Sequence, residues 1–112
     1  MKIKMKIEDY IKCIISILNF LENCDDEYRK FNCFNTPSNL NMIKVLDDYG
    51  YSMISFAEFL SKEKLWENHA KEFFSDENKS LLFFRLKLNE YKNILRQYKL
   101  KRILQNELQN EL

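Results

Sequence analysis

The sequence is poor in the residues that punctuate a chain: 112 residues hold one glycine, Gly50, and one proline, Pro37. That is too few to turn the strands of a sandwich or barrel, or to form a glycine-rich loop around a phosphate. All-β folds and nucleotide-binding α/β folds are set aside on this ground. Histidine is equally scarce. The single His69 has Glu72 one helical turn later, giving at most one imidazole and one carboxylate on a shared face. A metal centre normally needs three or four ligands. The acid pairs Asp25-Asp26 and Asp47-Asp48 are adjacent, so on a helix they point about 100° apart, a poor geometry for a shared metal or a glycosidase pair. The reading is therefore of a protein that is not an enzyme and has no metal or other cofactor, with His69 structural or exposed.

Cysteine is sparse and odd in number. Cys13, Cys24 and Cys33 are spaced as neither a C-x-x-C pair nor a zinc knuckle, and an unpaired set suits a reducing compartment. Long apolar runs are also missing. Ile11 to Leu21 follows Lys2, Lys4 and Lys6 in the manner of a signal peptide, but Glu8, Asp9 and Lys12 interrupt it and no small-x-small site follows. The stretch also falls short of the roughly 18 uninterrupted apolar residues that suggest a membrane span. The expectation is a cytoplasmic protein without membrane contact.

What is present is helical period. Apolar residues make up 46% of the chain, enough for a core within a single domain covering residues 1–112. Met1 to Ile7 alternates lysine with apolar residues, but nothing else in the chain alternates comparably, so residues 1–7 are expected as a basic arm or a frayed helix start. From Glu8, the stripe Tyr10, Ile14, Leu18 and Leu21 predicts a first helix continuing through Cys24, Tyr28 and Phe31. Thr36-Pro37 reads as a helix start and Gly50 as a left-handed C-cap, which brackets a second helix with Leu40, Ile43 and Leu46 inward. Ser52 caps a third, through Phe56, Ala57, Leu60, Leu65, Trp66, Ala70 and Phe73, with Ser61 a place where it splits. A last helix from about Asp76 carries the seam Leu81, Phe84, Leu88, Tyr91, Leu95 and Tyr98. The fold class expected is all-α: a compact bundle of four to five helices with a long basic C-terminal helix.

Charge is the most informative pattern. The chain is nearly neutral overall, yet Glu8 to Tyr28 holds one base against six acids, and Lys79 to Leu104 holds eight bases against one acid. Arg85, Lys92, Arg96, Lys99 and Arg102 recur at helical spacing as a basic stripe. Two uses follow from it: binding an acidic partner surface or phosphates, or neutralising the acidic helices of the same domain. Phe84, Tyr91 and Tyr98 interleave with these bases, as stacking platforms would, but their spacing equally makes them core. Trp66 and Phe83 lie off the seam and are candidate aromatic anchors.

The seam breaks at Arg102. Beyond it, Leu104, Leu108 and Leu112 form an offset stripe in the repeat QNEL-QNEL, so residues 105–112 are expected to project, fold back or support a weak homodimer. The functional expectation is a small interaction protein that acts by stoichiometric surface binding, its basic stripe meeting a partner protein or ribonucleoprotein that has an acidic surface. An inhibitor from a phage or mobile element, acting on a host nucleic-acid-guided defence complex, is one form of it. The alternative is a nucleic-acid-binding helical protein or a small ribonucleoprotein subunit.

Overall fold

A computed structural model of the chain describes residues 4–25, 40–73 and 81–111; among them are five α-helices and no strand. The helices are α1 (Ile7–Glu22), α2 (Leu40–Asp48), α3 (Met53–Lys62), α4 (Trp66–Phe73) and α5 (Leu81–Glu111). The all-α bundle with a long last helix is thus the observed architecture.

Residues 4–6 are not helical, and Met5 between the exposed Lys4 and Lys6 is buried in the core. Period two is thereby satisfied without a sheet: one apolar side chain turns inward and the lysines stay wet. α1 begins with Glu8 and Asp9 in its first turn, where carboxylates favour the helix dipole. It buries Tyr10, Ile11, Cys13, Ile14, Ile17, Leu18 and Leu21, a broad apolar face at three- and four-residue spacing. The helix ends at Glu22 instead of continuing to Phe31. The Asn23 side chain donates to the Asn19 carbonyl at 2.8 Å, and the Cys24 thiol donates to the Phe20 carbonyl at 3.0 Å. Cys24, expected to extend the apolar stripe, instead closes the last turn. Tyr28, Phe31, Cys33 and the Thr36-Pro37 start signal lie outside the described residues.

α2 ends in a left-handed cap. Gly50 has φ of 82°, the Tyr51 amide donates to the Leu46 carbonyl at 2.8 Å and the Gly50 amide to the Asp47 carbonyl at 2.9 Å. This crossed pair is a Schellman motif, with Leu46 and Tyr51 both buried across it. Met42 and Leu46 form the inward face of α2, whereas Ile43 is 37% exposed. The expected three-residue stripe is rotated, because inward Met42 and Leu46 four residues apart leave Ile43 on the flank.

Ser52 accepts from the Ser55 amide at 3.1 Å and so caps α3, which buries Phe56, Phe59 and Leu60. α3 and α4 are separate helices, divided just after Ser61 by a second Schellman motif without glycine. The Leu65 amide donates to the Leu60 carbonyl at 2.8 Å, the Lys64 amide to the Ser61 carbonyl at 3.3 Å, and Lys64 takes φ of 58°.

α5 packs antiparallel along α1, and ion pairs at the two ends fix that orientation. Arg85 meets Glu22 at 3.2 Å and Arg102 meets Glu8 at 2.7 Å. Phe84, Leu88 and Tyr91 of the seam are buried, and Leu95 is partly covered. At about 1.5 Å per residue α5 is roughly 46 Å long. α1 runs out near Arg102, and residues 101–109 are all exposed, so the tail projects.

Candidate functional site

Three faces of α5 have to be separated by angle, at about 100° per residue. The seam Phe84, Leu88, Tyr91 and Leu95 turns toward α1. Arg85, Lys92, Arg96 and Lys99 fall within a sector of about 60° on one flank, and Arg102 comes round toward the seam. This position explains why Arg102 reaches Glu8 so closely. The five-residue stripe therefore divides. Its terminal members, Arg85 and Arg102, are engaged by α1; Lys92, Arg96 and Lys99 are exposed and form no ion pair among the described residues. The ends of the stripe neutralise acids of α1, and between them lies an exposed cationic trio.

On the side away from the bundle, Leu100, Ile103, Leu104 and Leu108 are more than half exposed, Leu104 at 58% and Leu108 at 61%. Leu112 lies outside the described residues. A shallow depression of about 490 Å³ runs along this face, lined by Ile94, Gln97, Tyr98, Leu100, Lys101 and Leu104.

The aromatic candidates part company. Phe83 is partly buried against the core, its ring edge-on to Phe84 with centroids 5.5 Å apart. Trp66 opens α4 and is 43% exposed, so it belongs to a different element from the trio. Tyr91 is core, and Tyr98 sits at the exposed margin.

Inside the bundle lies an arrangement that the sequence did not announce. His69 is 2% exposed, and its Nδ1 is 2.7 Å from the Tyr10 hydroxyl. The Tyr91 hydroxyl donates to Glu72 at 3.0 Å, and Lys87 lies 3.7 Å from the other Glu72 oxygen. These contacts tie α1, α4 and α5 together around one imidazole, whose ring is edge-on to Phe56. Burial pulls the His69 pKa down to about 4, so the ring is neutral at pH 7. Burial likewise raises Tyr10 and Tyr91, the latter also beside the Glu72 carboxylate. Tyr51 is hydrogen-bonded to Asp9, which fixes α1 against the end of α2. The one legible hint was His69 with Glu72 on a shared face; their partners come from helices distant in sequence.

Among the described residues no group of three His, Cys, Asp or Glu side chains is placed to hold a metal ion. Among them, too, no helix is long and apolar enough to cross a membrane. The chain matches no protein-family model, no curated protein and no solved structure.

Proposed function

We propose that the protein is a stoichiometric interaction protein that attaches to an acidic partner surface through the outer flank of α5. Lys92, Arg96 and Lys99 supply the charge, and the neighbouring leucine face supplies area that water would otherwise cover. The observation that carries this reading is the split of the basic stripe. Two arginines are engaged by α1, while the three bases between them stay open beside exposed Leu100 and Leu104. A polynucleotide would use the bases but leave the leucines wet; an acidic protein surface with an apolar margin uses both. The reading places the protein in the cytoplasm, with Cys13 and Cys24 as free thiols. It includes the case of a phage- or mobile-element-encoded inhibitor that occupies a surface of a nucleic-acid-guided defence complex.

Capture from the source cell, followed by mass spectrometry, tests it when run in three arms. Wild-type protein retains a partner with an acidic surface, nuclease treatment leaves that partner bound, and the variant Lys92→Glu/Arg96→Glu/Lys99→Glu loses it while keeping its helicity. Loss on nuclease treatment, with a gel shift of bare polynucleotide that weakens log-linearly with salt, transfers the site to nucleic acid.

A further inference from the structure

We infer that the cavity between α1, α4 and α5 is a binding site for a small primary alkylammonium ion, held at the Glu72 carboxylate. The site stands whatever the cationic trio binds. At about 100° per residue, Ile94 and Tyr98 on its wall lie across the α5 seam from Lys92, Arg96 and Lys99. The cavity measures about 190 Å³. Its polar wall is Tyr10, His69, Glu72 and Tyr91, and its apolar wall includes Ile11, Leu65 and Ile94. Convergent polar groups in an otherwise apolar cleft between helices are what orients a small ligand, and a volume below the roughly 300 Å³ of drug-sized sites restricts that ligand to a few heavy atoms.

Charge selects the sign of the ligand. Glu72 is the only Asp, Glu, Lys or Arg side chain on the wall. Burial leaves His69 neutral at pH 7 and holds Tyr10 and Tyr91 protonated. An anion entering the cavity would meet a carboxylate with no cation on the wall to offset it, whereas a cation gains from that charge. The tyrosines favour the same sign, because phenol oxygens accept from N–H donors and phenol rings attract cations at their faces. Exchange at Glu72 is also provided for. Lys87 lies 3.7 Å from Glu72 but 3.2 Å from Glu90, so an incoming ammonium can take its place at Glu72 while Glu90 keeps Lys87 countered. Tyr91 donates to one Glu72 oxygen at 3.0 Å, and a carboxylate has acceptor capacity beyond that bond for the N–H donors of a primary ammonium. The alkyl chain then lies against the apolar wall.

Titration of the full isotope-labelled chain with n-butylammonium chloride at pH 7, followed by amide chemical shifts and matched in ionic strength with sodium chloride, tests the site. Saturable shifts are expected at residues 65–72 and 91–98, with the roughly millimolar affinity of so small a ligand. The neutral counterpart n-butanol should bind at least about tenfold more weakly, and butyrate should not bind. Two variants should move the affinity in opposite directions. Glu72→Gln, whose amide oxygen can still accept from Tyr91, should retain helicity and weaken n-butylammonium at least about tenfold. Lys87→Met removes the competing cation and should tighten it about threefold or more. No saturation by about 100 mM, equal affinity for n-butanol, or equal affinity in wild type and Glu72→Gln overturns the site and leaves the cavity to water. Weaker binding in Lys87→Met overturns the assignment of Glu72 as the counter-ion.

Discussion

Acid should loosen this bundle through His69 as the pH falls from 7 toward 4. The imidazole is buried beside Tyr10 and Phe56, and its pKa falls from an ordinary 6.5 to about 4. A lowered histidine pKa means that the unfolded chain binds a proton where the folded chain does not. The stabilising effect is therefore complete above about pH 6.5 and is lost progressively as pH falls toward 4. With those two values, going from pH 7 to pH 5 costs about 2 kcal/mol, and the full loss below pH 4 is about 3 kcal/mol. For a chain of this size 2 kcal/mol corresponds to a fall in Tm of roughly 10 °C. Urea denaturation at pH 7, 6 and 5, followed by circular dichroism, measures it. The control is His69→Gln, which retains a hydrogen-bonding side chain beside Tyr10 but does not titrate. It should be less stable than wild type at pH 7 and nearly flat between pH 7 and 5. The same slope in wild type and His69→Gln would refute the reasoning.

The two helix caps and the core give further expectations. Gly50→Ala should cost about 1 kcal/mol in urea denaturation: an added Cβ would meet nothing within 4 Å, so the penalty is that of left-handed backbone alone. Lys64→Gly should act in the opposite direction, stabilising by about 0.5 to 1 kcal/mol, because Lys64 holds φ of 58° without glycine's freedom. Phe84→Ala, at a fully buried seam position, should cost about 3 to 5 kcal/mol in the same assay. The Cys13 thiol, pushed up to about 12 by burial and by the Asp9 carboxylate, should resist a thiol reagent at pH 8 in the folded protein and react on unfolding.

Local chemistry explains what could be read from the residues themselves. Gly50 and Ser52 announce a C-cap and an N-cap through side-chain and backbone properties that need no tertiary context, and both caps form. The α5 seam was equally plain, since Phe84, Leu88 and Tyr91 repeat over enough turns to exclude another period. The end of α1 was hidden, because Cys24 continues the apolar spacing and only its hydrogen bond to Phe20 shows that it closes the helix. Lys64 gave no warning of a left-handed turn; that conformation is forced by Leu60 packing inward while Leu65 must return to the core. Spacing also placed the basic stripe correctly as a set of residues on one helix. Its division required knowing that α1 runs antiparallel with Glu8 and Glu22 at the ends of the contact, a fact of packing and not of pattern. The His69 arrangement was illegible for the same reason, with Tyr10 and Tyr91 contributed from opposite ends of the chain.

The central claim is that Lys92, Arg96 and Lys99 form the partner-binding surface, and an affinity titration against the captured partner tests it most directly. Three proteins are compared at one salt concentration: wild type, Lys92→Glu/Arg96→Glu/Lys99→Glu, and a control with the same charge change at exposed Lys4, Lys44 and Lys62. The account predicts that reversal of the trio weakens binding at least about 100-fold, some 2.7 kcal/mol, while the control changes it by less than about threefold. Equal losses in the two variants would mean that only net charge matters, and unchanged affinity for the trio variant would remove Lys92, Arg96 and Lys99 from the interface.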